Sequence, residues 1–133
     1  MIVGDILELK ILGVYDRGIP NKERIVITVE ASVNMGQFGL MLGVRAQNAS
    51  ATPITDNMFW FGDGFVRKGD MLFLYTGPGH ATTNQIPNSL ASFYSLHWGK
   101  MTTVFANPTT LPILFRVDAV DIPFDPQNVP QLL

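Results

Sequence analysis

Apolar and polar residues alternate with a period of two along most of this chain. The pattern is clearest near the start, where Leu7, Leu9 and Ile11 share one parity and Glu8 and Lys10 the other. Successive side chains of an extended strand point to opposite faces, so residues 5–15 are predicted as a half-buried first strand. Residues 23–30 follow as the second, with Ile25, Ile27 and Val29 facing one way and Val26 and Thr28 the other. After a turn at Asn34-Met35-Gly36, Phe38, Leu40, Leu42 and Val44 alternate with small or flexible residues over 38–45. Further strands are predicted over 54–61, 65–67, 71–76, 90–98, 101–106 and 113–122, punctuated by Gly, Pro, Asn and Asp. The run 71–76 is almost wholly apolar, the pattern of a strand covered on both faces. Residues 77–89 hold two Pro and two Gly and are expected to form a long loop.

No stretch has the spacing of an amphipathic helix. Eight or nine short strands, repeating about every 8–12 residues, argue for an all-β chain folded as a β-sandwich, with a closed barrel as the second choice. Residues 1–122 are expected to form this single domain. Residues 123–133 carry Pro123, Pro126 and Pro130 and are expected to run on as an extended tail.

Composition narrows the function classes. The chain has no cysteine, so disulfide frameworks, zinc–thiolate sites and thiol nucleophiles are excluded. The N-terminal MIVGDILELK has acidic residues where a signal peptide needs basic and apolar ones, and no apolar run reaches the roughly 18–20 residues that span a bilayer. A cytoplasmic protein with no membrane partner is the expectation. Basic residues are scattered, and only Arg67 and Lys68 adjoin, which argues against a nucleic-acid partner. Charged residues make up 15% of the chain, against about 25% in ordinary soluble domains. So little charge on a chain that is 47% apolar points to a surface buried against another copy or a protein partner.

Candidate chemistry is sparse. His80 and His97 are the only imidazoles, and neither has a nucleophile or metal-ligand motif beside it. Asp56, Asp63, Asp70, Asp118 and Asp121 match no calcium-loop spacing. The turns Gly62-Asp63-Gly64 and Gly77-Pro78-Gly79 precede no helix, so neither is a phosphate cradle. No catalytic residue, metal or cofactor is expected, and the chain reads as a non-enzyme. The aromatics are more informative. In Met58-Phe59-Trp60-Phe61 and in Phe93-Tyr94, neighbours must alternate between faces, so some large rings point away from the core. Outward rings beside polar loop residues suit a protein or glycan contact. The candidate binding residues are Trp60, His80, Asn84, Tyr94, His97 and Trp98.

The order of short motifs resembles the bacterial form of the lamin tail domain. Asn21-Lys22-Glu23-Arg24-Ile25-Val26-Ile27 is similar to that family's second strand, and Leu40-Met41-Leu42-Gly43 to the approach to its third element. Lys68-Gly69-Asp70-Met71-Leu72-Phe73-Leu74-Tyr75-Thr76-Gly77-Pro78-Gly79 resembles its turn, strand and Thr-Gly-x-Gly ending. His97-Trp98-Gly99 and Val104-Phe105-Ala106-Asn107 resemble its later aromatic motifs. The resemblance implies an immunoglobulin-like sandwich without catalytic residues, serving as a binding or tethering module. Residues and resemblance together lead to the expectation of a self-associating interaction module. A carbohydrate- or small-ligand-binding sandwich and a phage or assembly structural protein are the alternatives.

Overall fold

A computed structural model describes residues 4–123. The described chain is all-β: β1 Leu9–Tyr15, β2 Arg24–Val29, β3 Val33–Asn34, β4 Phe38–Arg45, β5 Ala51–Trp60, β6 Phe65–Val66, β7 Met71–Tyr75, β8 Thr82–Gln85, β9 Ser92–His97 and β10 Thr110–Arg116. A five-stranded sheet ordered β1-β2-β7-β9-β8 packs against a three-stranded sheet ordered β10-β4-β5, and β3 pairs with β6 as a small third sheet. The result is a β-sandwich.

The period-two pattern built this core. Leu9, Ile25, Ile27, Val29, Leu72 and Leu74 from the larger sheet meet Phe38, Leu40 and Leu42 from the smaller, all of them buried. Each such side chain contributes on the order of 1.5–3 kcal/mol by leaving water. In β1 the register slips between Ile11 and Gly13. The extra residue, Leu12, is exposed, and Val14 rather than Gly13 resumes the inward parity. Leu7, expected to share the inward face of the first strand, lies before β1 and is 77% exposed.

Several boundaries differ from the sequence expectation, each for a physical reason. There are ten strands rather than eight or nine, because the two-residue β3 and the polar β8 carry no apolar alternation to announce them. β8 lies inside the stretch 77–89 that was expected to be loop. It is an edge strand exposed on both faces, so Thr-Thr-Asn-Gln suffices. Residues 101–106, expected as a strand, pair with no other strand. Their Val104 and Phe105 amides bind the Glu23 carboxylate instead, a side chain taking the place of a ladder partner. β7 and β9 run parallel, and β8 is the crossover strand folded back onto β9. Leu72 and Leu74 of β7 are buried, but Met71, Phe73 and Tyr75 are only half-buried, so no second layer covers the outer face expected to be covered. Residues 124–133, which hold most of the predicted tail, lie outside the described residues. No helix among the described residues is long and apolar enough to cross a membrane.

Candidate interaction face

Two outward sheet faces carry the large side chains that do not enter the core. On the five-stranded sheet, Tyr15, Arg24, Tyr75 and His97 stand in one register row across β1, β2, β7 and β9. The Arg24 guanidinium sits 5.6 Å from the Tyr15 ring centre and 5.9 Å from that of Tyr75, and bonds Asp16 at 2.6 Å. Tyr75 and His97 stack at 5.2 Å with their planes 16° apart. Rings stacked across neighbouring strands turn their faces to one another and their edges to solvent. The loop before β8 closes over the His97 end of this row: a side chain at Gly79 would collide with the His97 ring. His97 Nδ1 is covered there, without a hydrogen-bond partner among the described residues. Beside the row, Phe73 and Phe93 lie 5.7 Å apart.

The outer face of the three-stranded sheet is different. Its register rows are Phe115–Gly39–Trp60 and Ile113–Met41–Met58, with Leu111 opposite Gly43 at the far end. Glycine stands at the centre of two of these rows. With no Cβ at Gly39, the Phe115 ring folds over strand β4, its Cζ only 2.5 Å from where a Cβ would sit. Ile113 folds over Gly43 in the same way. The face is therefore low, broad and apolar. Trp60 is 54% and Met58 62% exposed, and the Trp60 indole N–H donates to the Gly36 carbonyl at 2.9 Å, which fixes the ring. A groove of about 450 Å³ runs from this face along β10, with Ile6, Met41, Ile113 and Phe115 in its walls and Asp5, Arg116 and Asp118 around it. An apolar centre inside a charged rim is the anatomy of a protein interface.

The glycine dependence is testable. Gly39→Ala would press a methyl against the Phe59 carbonyl, 2.9 Å from the Cβ position, and that backbone atom belongs to the paired strand. The expected loss is about 1–3 kcal/mol in denaturant unfolding. An unchanged midpoint would mean that the strand yields without cost.

The six sequence candidates do not form one site. Trp60 lies on the apolar face just described. Asn84 and His97 belong to the opposite, outer face of the larger sheet, and His80 lies exposed in the loop leading to β8. Tyr94 and Trp98 turn inward. Trp98 packs 5.7 Å from Phe59, and Tyr94 lies against the core beside Leu96. Neighbours alternate between faces in both runs: Phe59 and Phe61 pack on the core while Met58 and Trp60 face out, and Phe93 faces out while Tyr94 faces in. Sequence reasoning missed Met41, Leu111, Ile113 and Phe115. The signal for the last three was present in Leu111-Pro112-Ile113-Leu114-Phe115, apolar on both parities and hence apolar on both faces, and that for Met41 in Leu40-Met41-Leu42.

Chemical groups are otherwise satisfied locally. Asp70 is buried and accepts the Arg67 and Ser92 amides at 2.9 Å each. Burial pushes the Glu23 carboxyl up, but hydrogen bonds from Thr76, Val104, Gly18 and Phe105 outweigh it and hold the group below its ordinary value. Every oxygen of that carboxylate is engaged, so it has the bonding of a structural anchor. No group of three or more His, Asp or Glu able to hold a metal exists among the described residues. Comparison of the chain with protein-family models, curated proteins and solved structures gives no match.

Proposed function

We propose that this chain is a non-enzymatic interaction module that associates with further copies of itself through the outer face of the three-stranded sheet. One observation carries the reading: Trp60, Met58, Met41, Ile113 and Phe115 form a flat apolar surface in which no residue is charged. The low charge of the whole chain supports it. The lamin-tail resemblance, with its immunoglobulin-like sandwich and tethering role, agrees in kind. A glycan is the poorer occupant. Trp60 is the exposed ring on which a sugar would stack, but its neighbours across the sheet are Met58, Met41, Ile113 and Phe115, which offer a sugar no hydrogen-bonding side chain.

Size sets the strength of association. Three strands about 4.8 Å apart and seven residues at about 3.3 Å give a face of about 14 by 23 Å, roughly 330 Å². Stable pairs bury about 800 Å² on each partner. A single back-to-back contact is therefore weak and concentration-dependent, which suits an assembly or structural role in which many copies are held together.

Light scattering over a range of concentrations should show the mass rising with concentration. Trp60→Asp should weaken association tenfold or more while leaving the melting temperature nearly unchanged, because the side chain is more than half exposed. A wild-type protein that is monomeric at every concentration overturns the proposal, and so does a Trp60→Asp variant that associates as before.

A further inference from the structure

The open edges of the sandwich are not equally defended. An unpaired strand edge is a template for a foreign strand, and proteins block it with bulges, proline or charge. In β1 the bulge at Leu12 and the charge on Lys10 interrupt the edge. Pro112 removes an amide from the middle of β10. β5 carries Pro53, and its register breaks over residues 54–57, with Asp56 in the left-handed region at φ 61°. β8 has none of these: it is Thr82-Thr83-Asn84-Gln85, regular and fully exposed. The lack of charge extends well beyond it. From Gly77 to Gly99, the whole β8–β9 hairpin and its flanks, there is no Asp, Glu, Lys or Arg.

The ladder shows which backbone groups are free. The Ile86 amide donates to the Ala91 carbonyl at 2.8 Å, across the pair that continues β8 against β9. By alternation, the amides of Thr82 and Asn84 also face β9, and those of Thr83 and Gln85, with their carbonyls, point outward. Two outward residues separated by one form a self-complementary set. If a second β8 is laid antiparallel on a two-fold axis through Asn84, Thr83 meets the partner's Gln85 and the two exchange both backbone hydrogen bonds. Asn84 then faces the partner's Asn84 as a non-hydrogen-bonded pair. Four backbone hydrogen bonds form, and no like charges meet.

We infer that β8 is a second self-association edge, pairing antiparallel with β8 of another copy about a two-fold axis at Asn84. The larger sheet then continues through the dimer as ten strands. This edge is a different surface from the apolar face of the smaller sheet. Two separate two-fold contacts on one chain carry assembly beyond a dimer, into a closed tetramer where the axes cross at right angles and into an open row where they do not meet. The inference supplies geometry to the assembly reading, but its chemistry does not depend on Trp60.

Because the chain has no cysteine, single thiols give a clean test. In a non-hydrogen-bonded antiparallel pair the Cα atoms lie about 4.5 Å apart, within disulfide reach. On mild oxidation, Asn84→Cys should give disulfide-linked dimer on the order of tenfold faster than Thr82→Cys. Both positions are exposed on the same strand, but the two thiols that Thr82→Cys introduces into a pair would be about 13 Å apart along the strands. Adding Thr83→Pro to the Asn84→Cys chain removes an outward amide and should abolish the difference. Equal rates for the two thiols, or persistence of the difference with the proline present, overturns the inference. Asn84→Cys is also made in the Trp60→Asp background. A disulfide that still forms there, while scattering shows that the apolar faces no longer associate, separates failure of one surface from failure of the other.

Discussion

Glu23→Ala is expected to destabilise the fold by about 4 kcal/mol and to lower the melting temperature by about 15 °C. Glu23 is 1% exposed, yet its carboxylate accepts four hydrogen bonds: Gly18 N at 2.9 Å, Thr76 Oγ1 at 2.7 Å, Val104 N at 2.8 Å and Phe105 N at 2.8 Å. These partners come from the loop after β1, the end of β7 and the strandless segment before β10, so one side chain ties three parts of the chain together. Truncation leaves several donors without acceptors, each costing about 1–3 kcal/mol where water cannot enter. Chemical denaturation would check this, and a loss below about 1 kcal/mol would show that the donors find water or other partners. Acid should act in the same direction. The Glu23 carboxyl lies below its ordinary value of 4.5 in the folded protein. Its contribution is therefore complete above about 4.5 and is lost as the pH falls through the lower folded value. Glu23→Gln, which cannot ionise, should flatten that part of the stability profile.

Phe105→Ala should cost about 3–5 kcal/mol, the range for deleting a buried ring whose surroundings collapse only in part. Phe105 is fully buried although it belongs to no strand. Its position depends on the anchor, because its own amide binds Glu23 while the Arg17 guanidinium lies 5.5 Å over its ring. The two substitutions share these contacts. The double variant should therefore lose clearly less than the sum of the single losses, by about 1 kcal/mol or more. Additive losses in a double-mutant cycle would mean that the ring holds its place without the carboxylate.

The two expectations about surfaces are smaller in energy but closer to function. Neither the apolar face nor the β8 edge contributes to the core. On the proposed association, substitutions of exposed side chains there, such as Trp60 and Asn84, should change how copies meet while leaving each copy folded, the reverse of what Glu23 and Phe105 are expected to show.

Much of the larger architecture was legible in the residue order, because period-two alternation is a property of the strand itself. Ile25, Ile27 and Val29 had to share a face, and Met58, Phe59, Trp60 and Phe61 could not. The all-β class and the strands flanking the core follow from that, as does the outward placing of one of the two pairs, Met58 with Trp60 or Phe59 with Phe61. Tertiary structure decided everything that depends on a partner distant in sequence. Whether Tyr94 or Phe93 faces inward is a matter of which side of the sheet the smaller sheet covers, and parity alone does not specify it. That residues 101–106 pair with no strand depends on Glu23 arriving from more than 80 positions away to satisfy their amides. The flat apolar face exists because β10 and β5 flank the glycines of β4, and β8 is an open edge only because the parallel pairing of β7 with β9 leaves it outermost. Local sterics and side-chain alternation act within a strand and can be read along the chain. Burial, exposure and edge position depend on what lies across from each strand, and only the folded arrangement supplies that.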